Sequence, residues 1–307
     1  MTRSTKRAAR DALLAAFWLW FGLRLSNDWF GGLVVPAGQP FVDPQPVTDA
    51  ALALHDAGAP ASWLGALLES LAFAMTYLPD LAAGAWLTVV LTVFATVFGL
   101  ALAVPLAAAR VYGRVTHWVA LGFIELIRGT PLLAQLFVLY FALPLSRWFA
   151  AVPYVGSSIV PAQAVWVAVV GFTINSAAYQ AEYIRGSIEG IDPGQLTAAR
   201  ALGLSRVDGV RHVVLPQALR LAIPSWTNEL VYLTKYSSLA AFITVGELFH
   251  AARAAAYANY RFLDLFLLAA AVYLALVLSA TTTMEWVRER VAIPGVGGSG
   301  GGRMSAE

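Results

Sequence analysis

Two runs of polar side chains interrupt otherwise apolar stretches of this chain at helical spacing. Ser225, Asn228, Tyr232 and Lys235 follow one another at steps of 3, 4 and 3, and Asn175, Tyr179 and Glu182 at steps of 4 and 3, so each set falls along one face of a helix. Ionisable and amide groups are costly in an apolar medium and by default face a pathway or a bundle interior. Two readings fit them: they line a path for a polar solute, or they hydrogen-bond between helices and only hold the bundle together. Catalytic constellations are missing. There is no H-E-x-x-H pattern, no nucleophile set beside a base and no pair of carboxylates within an apolar run. The four histidines, His55, His117, His212 and His250, lie far apart, and cysteine is absent, which leaves neither a metal-ligand spacing nor a disulfide. The only lysines are Lys6 and Lys235 and no G-x-x-x-x-G-K-[ST] run exists, so no P-loop binds ATP in this chain. The chain reads as a non-enzyme without a cofactor of its own.

The elements that must carry these residues are membrane spans. Of 307 residues, 59% are hydrophobic and 12% charged, half the charged fraction of a soluble domain, and the mean hydropathy is +0.68. A net charge of +2 gives no nucleic-acid surface. Twenty-nine charge-free residues separate Asp80 from Arg110 and 34 separate Arg147 from Glu182, while 129–146 and 265–284 are also free of charge; about 20 residues cross a bilayer core. With 221–246, apolar apart from Glu229 and Lys235, these give five core spans. The run after Arg3, Lys6, Arg7 and Arg10 has the look of a signal peptide but lacks a cleavage site. It is read as an uncleaved anchor helix over 12–35, with an interfacial helix as the alternative.

With the N-terminus inside, the inside segments 1–11, 110–128, 182–220 and 285–307 carry 15 of the 20 Lys and Arg residues, and segment 27–80 has six acids and no Lys or Arg. The positive-inside rule therefore predicts six spans with both termini cytoplasmic. Residues 36–80 are expected to form an extracytoplasmic loop with an interfacial helix at about 63–77, and the glycine-rich 290–307 a flexible cytoplasmic tail. No inverted repeat marks an ion-coupled carrier.

Between Glu182 and Arg220 the punctuation is dense. Asp192, Pro193 and Gln195 signal a helix start, Gly203 its left-handed end, Ser205 and Asp208 a second start, and Pro216 the end of that second helix. Two short helices joined by a tight turn follow, and the first is expected to expose Thr197, Ala198, Ala199 and Ala201. By its residues alone this is either a docking hairpin or a solvated connector.

The pattern GQLTAARALGLS followed by LPQALR resembles the loop of ABC importer permeases, and more closely that of the polar amino-acid permeases; Gly194, Gln195, Ala198, Ala199, Ala201, Leu202, Gly203, Leu215 and Pro216 match. Three further motifs follow the same order: Glu125 to Leu133 with Gln135 and Leu136; Asn228-Glu229-Leu230 through Lys235, Ser238 and Leu239; and Glu247-Leu248. Together they cover about 81–289. The resemblance implies a type I importer permease fold, all-α, with five core spans and one N-terminal span, in a bacterial inner membrane. It implies a coupling loop at 183–220 that docks a separate ATPase through Asp192, Gly194, Gln195, Thr197, Ala198, Ala199, Arg200, Ala201, Leu202 and Gly203. It further implies ATP bound by that partner, a second permease subunit identical or related, an extracytoplasmic solute-binding protein, and amino acids or close analogues as cargo along Asn175, Tyr179, Ser225, Asn228, Tyr232 and Lys235. Three positions depart from the pattern: Thr197 and Tyr236 stand where the family has glutamate and aspartate, and Ser237 where it has threonine.

Overall fold

A ladder of small residues sets the centre of the molecule. Ala95, Gly99, Ala103 and Ala107 recur every fourth residue and are all buried. Small side chains at this spacing let helix backbones approach closely, and in lipid it is this van der Waals contact that drives association. A computed structural model describes residues 3–58, 61–143, 145–157 and 160–291, and no strand occurs among them. In it the ladder faces α7 so closely that a Cβ on Gly99 would lie 2.9 Å from Gln180 Nε2 and 3.0 Å from Ser176 Oγ.

The helices run α1 (Arg3–Trp29), α2 (Gln45–Asp56), α3 (Ser62–Tyr112), α4 (Thr116–Arg128), α5 (Leu132–Phe137), α6 (Leu145–Ala150), α7 (Gln163–Glu189), α8 (Gly194–Ala201), α9 (Arg206–Gly209), α10 (Leu215–Tyr236), α11 (Leu248–Asn259) and α12 (Phe262–Val291). Two π-helical turns, Val138–Ala142 and Val210–Val214, extend α5 and link α9 to α10, and a 3₁₀ segment, Ser237–Ile243, continues α10. Three apolar clusters hold the bundle. One joins α1, the first part of α3, α11 and α12 around Phe21, Leu81 and Leu265. A second joins α3, α5, α7 and the end of α10 around Leu91, Leu136 and Phe172. The third joins the ends of α3 and α7 to α4 and the start of α10 around Ala107, Ile124 and Ala218.

Helices α3, α7 and α12 are each long and apolar enough to span a membrane, and the number rises to five when each of the bent pairs α4–α5 and α10–α11 is counted as one span. Helix α1 does not qualify by composition, yet it packs into the bundle against α12: Arg10 pairs with Glu285 at 3.4 Å and Trp18 Nε1 donates to Ser279 Oγ at 2.8 Å.

Several expected boundaries move. The anchor helix expected over 12–35 starts at Arg3 and ends at Trp29. Asn27 forces the end: its Oδ1 accepts from the Val34 and Val35 amides and its Nδ2 donates to Val35 O, while Gly31 and Gly32 take φ of 80° and 92°. Arg24, 1% exposed, turns its charge to Asp28 and the Gln39 carbonyl. The loop and separate interfacial helix expected over 36–80 are instead α2 and the first part of a 51-residue α3, which continues through Pro79 and Pro105. At 1.5 Å per residue this helix is roughly 75 Å long, more than twice a bilayer core. Packing against α2 and α11 along its first part, and against α7 and α4 around Ala103 and Ala107, holds its backbone and overrides the hydrogen bonds the prolines remove.

The span expected over 129–146 is also shorter: α5 and its π turn cover 132–142 and stand at 100° to α4. Pro131 makes the break, because it cannot donate and takes extended angles (φ −62°, ψ 133°). Gln135 stabilises it by donating to Ile127 O at 2.7 Å and Thr130 Oγ1 at 2.9 Å. Of the expected tail 290–307, positions 290 and 291 belong to α12, and the rest lies outside the described residues.

Candidate coupling hairpin and translocation pathway

Helix α8 is built as a short, closed unit. The Asp192 carboxylate accepts the Gly194 amide at 2.8 Å and its carbonyl accepts the Gln195 amide at 3.0 Å. The reciprocal side-chain contact of a capping box from Gln195 is absent among the described residues, so Asp192 makes a turn and not a box. Thr197 Oγ1 donates to Pro193 O at 3.4 Å. At the far end Gly203 adopts φ +89°, the Gly203 amide donates to Arg200 O and the Leu204 amide to Ala199 O, closing the helix with the left-handed glycine that the sequence calls for. Ser205 Oγ then accepts the Asp208 amide at 3.1 Å and donates to the Asp208 carboxylate, capping α9.

Two expectations for the hairpin change. Pro216 does not end the second helix. It sits in the first turn of α10, and the preceding π turn Val210–Val214 absorbs the hydrogen bond that proline cannot make, so helical backbone runs on from α9 into α10. Ala199 is not on the outer surface: it is 4% exposed and packs near Gly209, with Leu196 half-buried beside it. Asp192, Gly194, Gln195, Thr197, Ala198, Arg200, Ala201, Leu202 and Gly203 are exposed, and Leu202 at 85% and Val207 stand out as apolar tips. Between the arms an open groove of about 750 Å³ is lined by Thr197, Arg200, Ala201, Gly203, Leu204, Ser205 and Arg206.

Higher in the bundle, α7 and α10 meet across a cavity of about 240 Å³. Asn175, Tyr179 and Tyr183 line it from α7, and Glu229, Tyr232, Leu233 and Tyr236 from α10. Of the residues expected on a path, Asn175, Tyr179 and Tyr232 thus come together, while the half-buried Ser225 and the exposed Asn228 and Lys235 lie outside the cavity lining. Asn175 Nδ2 donates to Gln135 Oε1 at 3.1 Å, which ties the cavity to the α4–α5 break. The Arg128 guanidinium lies 5.4 Å from the Tyr179 ring centre and also reaches Glu182 at 3.8 Å. Lys235 Nζ lies 4.8 Å over Tyr232, whose ring stacks on Tyr236 at 5.9 Å.

Glu229, Tyr183 and Tyr236 were not among the expected path residues. Tyr183 OH donates to Glu229 Oε2 at 3.2 Å, and Glu229 is 4% exposed. Glu229 lies on the flank of α10 that meets α7, off the Ser225–Lys235 stripe, so periodicity along a single helix could not select it. Glu247, given no role from sequence, is fully buried: it caps α11 through the Phe249 and His250 amides and accepts from Tyr273 OH at 2.8 Å. Among the described residues no group of three metal-ligating side chains is present.

Comparison with known proteins agrees with this architecture. The model of the family described as binding-protein-dependent transport system inner membrane component matches residues 95–293. A probable amino-acid ABC transporter permease, PatM of Vibrio harveyi, is 37% identical over 169 residues, 55% of this chain and 72% of the relative. The glutamine transport system permease GlnP of Escherichia coli is 36% identical over 217 residues, 70% of this chain and 94% of the relative. A crystal structure of an amino acid ABC transporter with histidines superposes with TM-score 0.59 and 31% identity, covering 70% of this chain and 95% of the other. The inward-facing MetNI methionine ABC transporter, at 22% identity and TM-score 0.58, covering 70% of this chain and 98% of the other, shares the fold. With up to five core spans, a helical hairpin between α7 and α10 and these similarities over 55–70% of its length, the chain is a multi-pass membrane permease with the type I ABC importer fold and belongs to the binding-protein-dependent transport system inner membrane component family.

Proposed function

We propose that this chain forms half of the membrane pathway of an ABC importer for polar amino acids or close analogues. Membership of the family implies an ATPase and a solute-binding protein as partners. In this reading the ATPase docks on α8 and the turn after it, through the exposed members of the set Asp192 to Gly203, and holds the ATP. Ala199 supports that surface from beneath. A second permease subunit, identical or related, completes the pathway, and the solute-binding protein delivers cargo on the extracytoplasmic side. Both termini lie in the cytoplasm of a bacterial inner membrane, and the chain itself performs no chemical step.

The observation that carries the reading is the hairpin: an exposed Leu202 beside a left-handed Gly203, on a unit closed by Asp192 at one end and Ser205 at the other. Its helical connection through Val210–Val214 into α10 supplies a mechanical link, because a push on α8 and α9 is passed to the helix that carries Glu229, Tyr232 and Lys235. ATP-driven closure of two ATPases would thus re-tilt α10 against α7 and alternate the access of the cavity between them. The path would run along Asn175, Tyr179 and Tyr232, with Ser225, Asn228 and Lys235 on the adjoining face.

Reconstitution in proteoliposomes with candidate ATPase and solute-binding-protein partners from the same organism tests the reading. ATP-dependent uptake of an amino acid is expected, together with loss of ATPase association on Ala198→Trp. Normal uptake and association in that variant would make the coupling assignment wrong. Lys235→Ala should alter uptake or substrate-stimulated ATP hydrolysis without altering assembly; unchanged kinetics would make Lys235 a structural residue.

A further inference from the structure

The turn that joins α3 to α4 gathers positive charge that no side chain neutralises. Arg110, in the last turn of α3, and the exposed Arg114 flank it, and the Arg206 guanidinium, from the start of α9, lies 5.7 Å from the ring centre of Tyr112. Among the described residues none of these three arginines takes part in an ion pair. Arg110 is held in place by His117. A guanidinium only donates, so His117 Nε2, at 2.9 Å from Arg110 Nη1, accepts, and the ring's own proton on Nδ1 goes to the Arg110 carbonyl at 2.6 Å. The charge therefore stays uncompensated, with Arg110 Nε buried and lacking a hydrogen-bond partner.

Beside this charge α4 turns an apolar face outward. Val115, Val119 and Leu126, at steps of 4 and 7, are exposed, as is Trp118, while Ala120 and Ile124 on the opposite face are buried against α3 and α7. Gly122 falls on the exposed stripe with nothing within 4 Å of a Cβ built there, which leaves a shallow dent between Val119 and Leu126. In a membrane such a face is covered by acyl chains, and tryptophan favours the headgroup level. The guanidinium groups stand at the Val115 end of the stripe, where the headgroup belonging to those chains would lie. Guanidinium donors match phosphate oxygens in geometry and charge.

We propose that the corner between α3 and α4 binds one anionic phospholipid. Arg110 and Arg114 hold its headgroup phosphate, Arg206 adds a third positive charge, and its acyl chains lie along Val115, Val119, Gly122 and Leu126 beside Trp118. A zwitterionic lipid offers the same phosphate and chains but brings its own cationic group, which three unpaired guanidiniums repel, so the corner selects for net negative charge. Because Arg206 opens α9, the bound lipid sits at the root of the hairpin's second arm. The site requires only that the chain lies in a membrane and stands apart from the transport reading.

Native mass spectrometry of the purified full chain, titrated in detergent with dioleoylphosphatidylglycerol or dioleoylphosphatidylcholine, tests the site. Retention of one phosphatidylglycerol in clear preference to phosphatidylcholine is expected, and Arg114→Gln should lower that preference about fivefold, the effect of one basic residue at an anionic surface. Arg110→Gln should act in the same direction. Since it also takes a donor from His117, the double variant Arg114→Gln with Arg206→Gln supplies an arm that leaves the Arg110–His117 contact in place and should abolish the preference. Arg290→Gln removes the same charge from the end of α12 and should change nothing, and Trp118→Ala should weaken both lipids alike. Equal retention of the two lipids by the wild-type chain, an undiminished preference in the folded double variant, or an equal loss in Arg290→Gln each overturns the proposal. Inorganic phosphate separates the two sources of the anion: it should fail to displace the lipid at equal concentration, and displacement would make this a site for a soluble anion and overturn the lipid assignment. A dimer that Trp118→Ala splits while lipid retention stays intact would give the stripe to a second copy of the chain, with the same consequence.

Discussion

A Cβ placed on Gly84 would lie 3.0 Å from both the carbonyl carbon and the carbonyl oxygen of Glu247. The obstacle is main chain, at the start of α11, where Glu247 caps the helix and holds Tyr273 of α12. Gly84→Ala must therefore push α11 away from α3 and should cost about 1–3 kcal/mol of stability, as overpacking of a tight core does. Thermal unfolding followed by size-exclusion chromatography in detergent measures it. Gly122→Ala in α4 is the control: nothing lies within 4 Å of a Cβ there, and removing a mid-helix glycine should leave stability equal or raise it by up to ~1 kcal/mol.

Leu202→Glu and Gly203→Val separate contact from shape in the hairpin. Leu202 is 85% exposed, so its replacement should leave the melting temperature within ~1 °C, consistent with a surface change, while abolishing ATPase co-purification. Gly203→Val puts a β-branched residue at φ +89°, with strain of about 1–3 kcal/mol, and should lose ATPase association and also raise protease sensitivity at 200–206. ATPase capture at wild-type level by Leu202→Glu would move the docking surface elsewhere.

Ser205→Ala removes the hydroxyl that accepts the Asp208 amide. Loss of such a cap costs about 0.5–2 kcal/mol. Hydrogen–deuterium exchange should speed up at 206–214, in α9 and the π turn, and remain unchanged in α7. Equal acceleration in both would mean that the hairpin is not an independently closed unit.

Arg24→Met leaves Asp28 without its guanidinium partner and the Gln39 carbonyl without its donor. Breaking a buried pair by removing one partner costs roughly 3–5 kcal/mol, and a partner that keeps some solvent contact, as Asp28 does, brings the cost toward the lower end. The double change Arg24→Met with Asp28→Asn should recover part of that loss. A double-mutant cycle on thermal stability reads the coupling; additive effects would show that the pair does not hold the end of α1.

Much was fixed by composition and punctuation. Charge-free runs gave α3, α7 and α12, the left-handed end at Gly203 and the cap at Ser205 followed from residue type, and the order of four motifs pointed to the family, because each of these depends on residues adjacent along the chain. What depended on neighbours in space was not legible. Pro216 reads as the end of the second hairpin helix, yet a π turn carries the helical backbone through it. Asn27 and Pro131 end helices by hydrogen bonds and geometry that become definite only when the chain has turned. Periodicity along α10 selected the open stripe from Ser225 to Lys235 and passed over Glu229, since a residue's meaning at a helix–helix contact is set by what the other helix brings to it. The sequence thus determined that this protein is a membrane permease with a capped hairpin. Only the tertiary structure put Tyr183 against Glu229 and gathered the tyrosines into one cavity, because contacts between α7 and α10 join residues 46 positions apart in the chain.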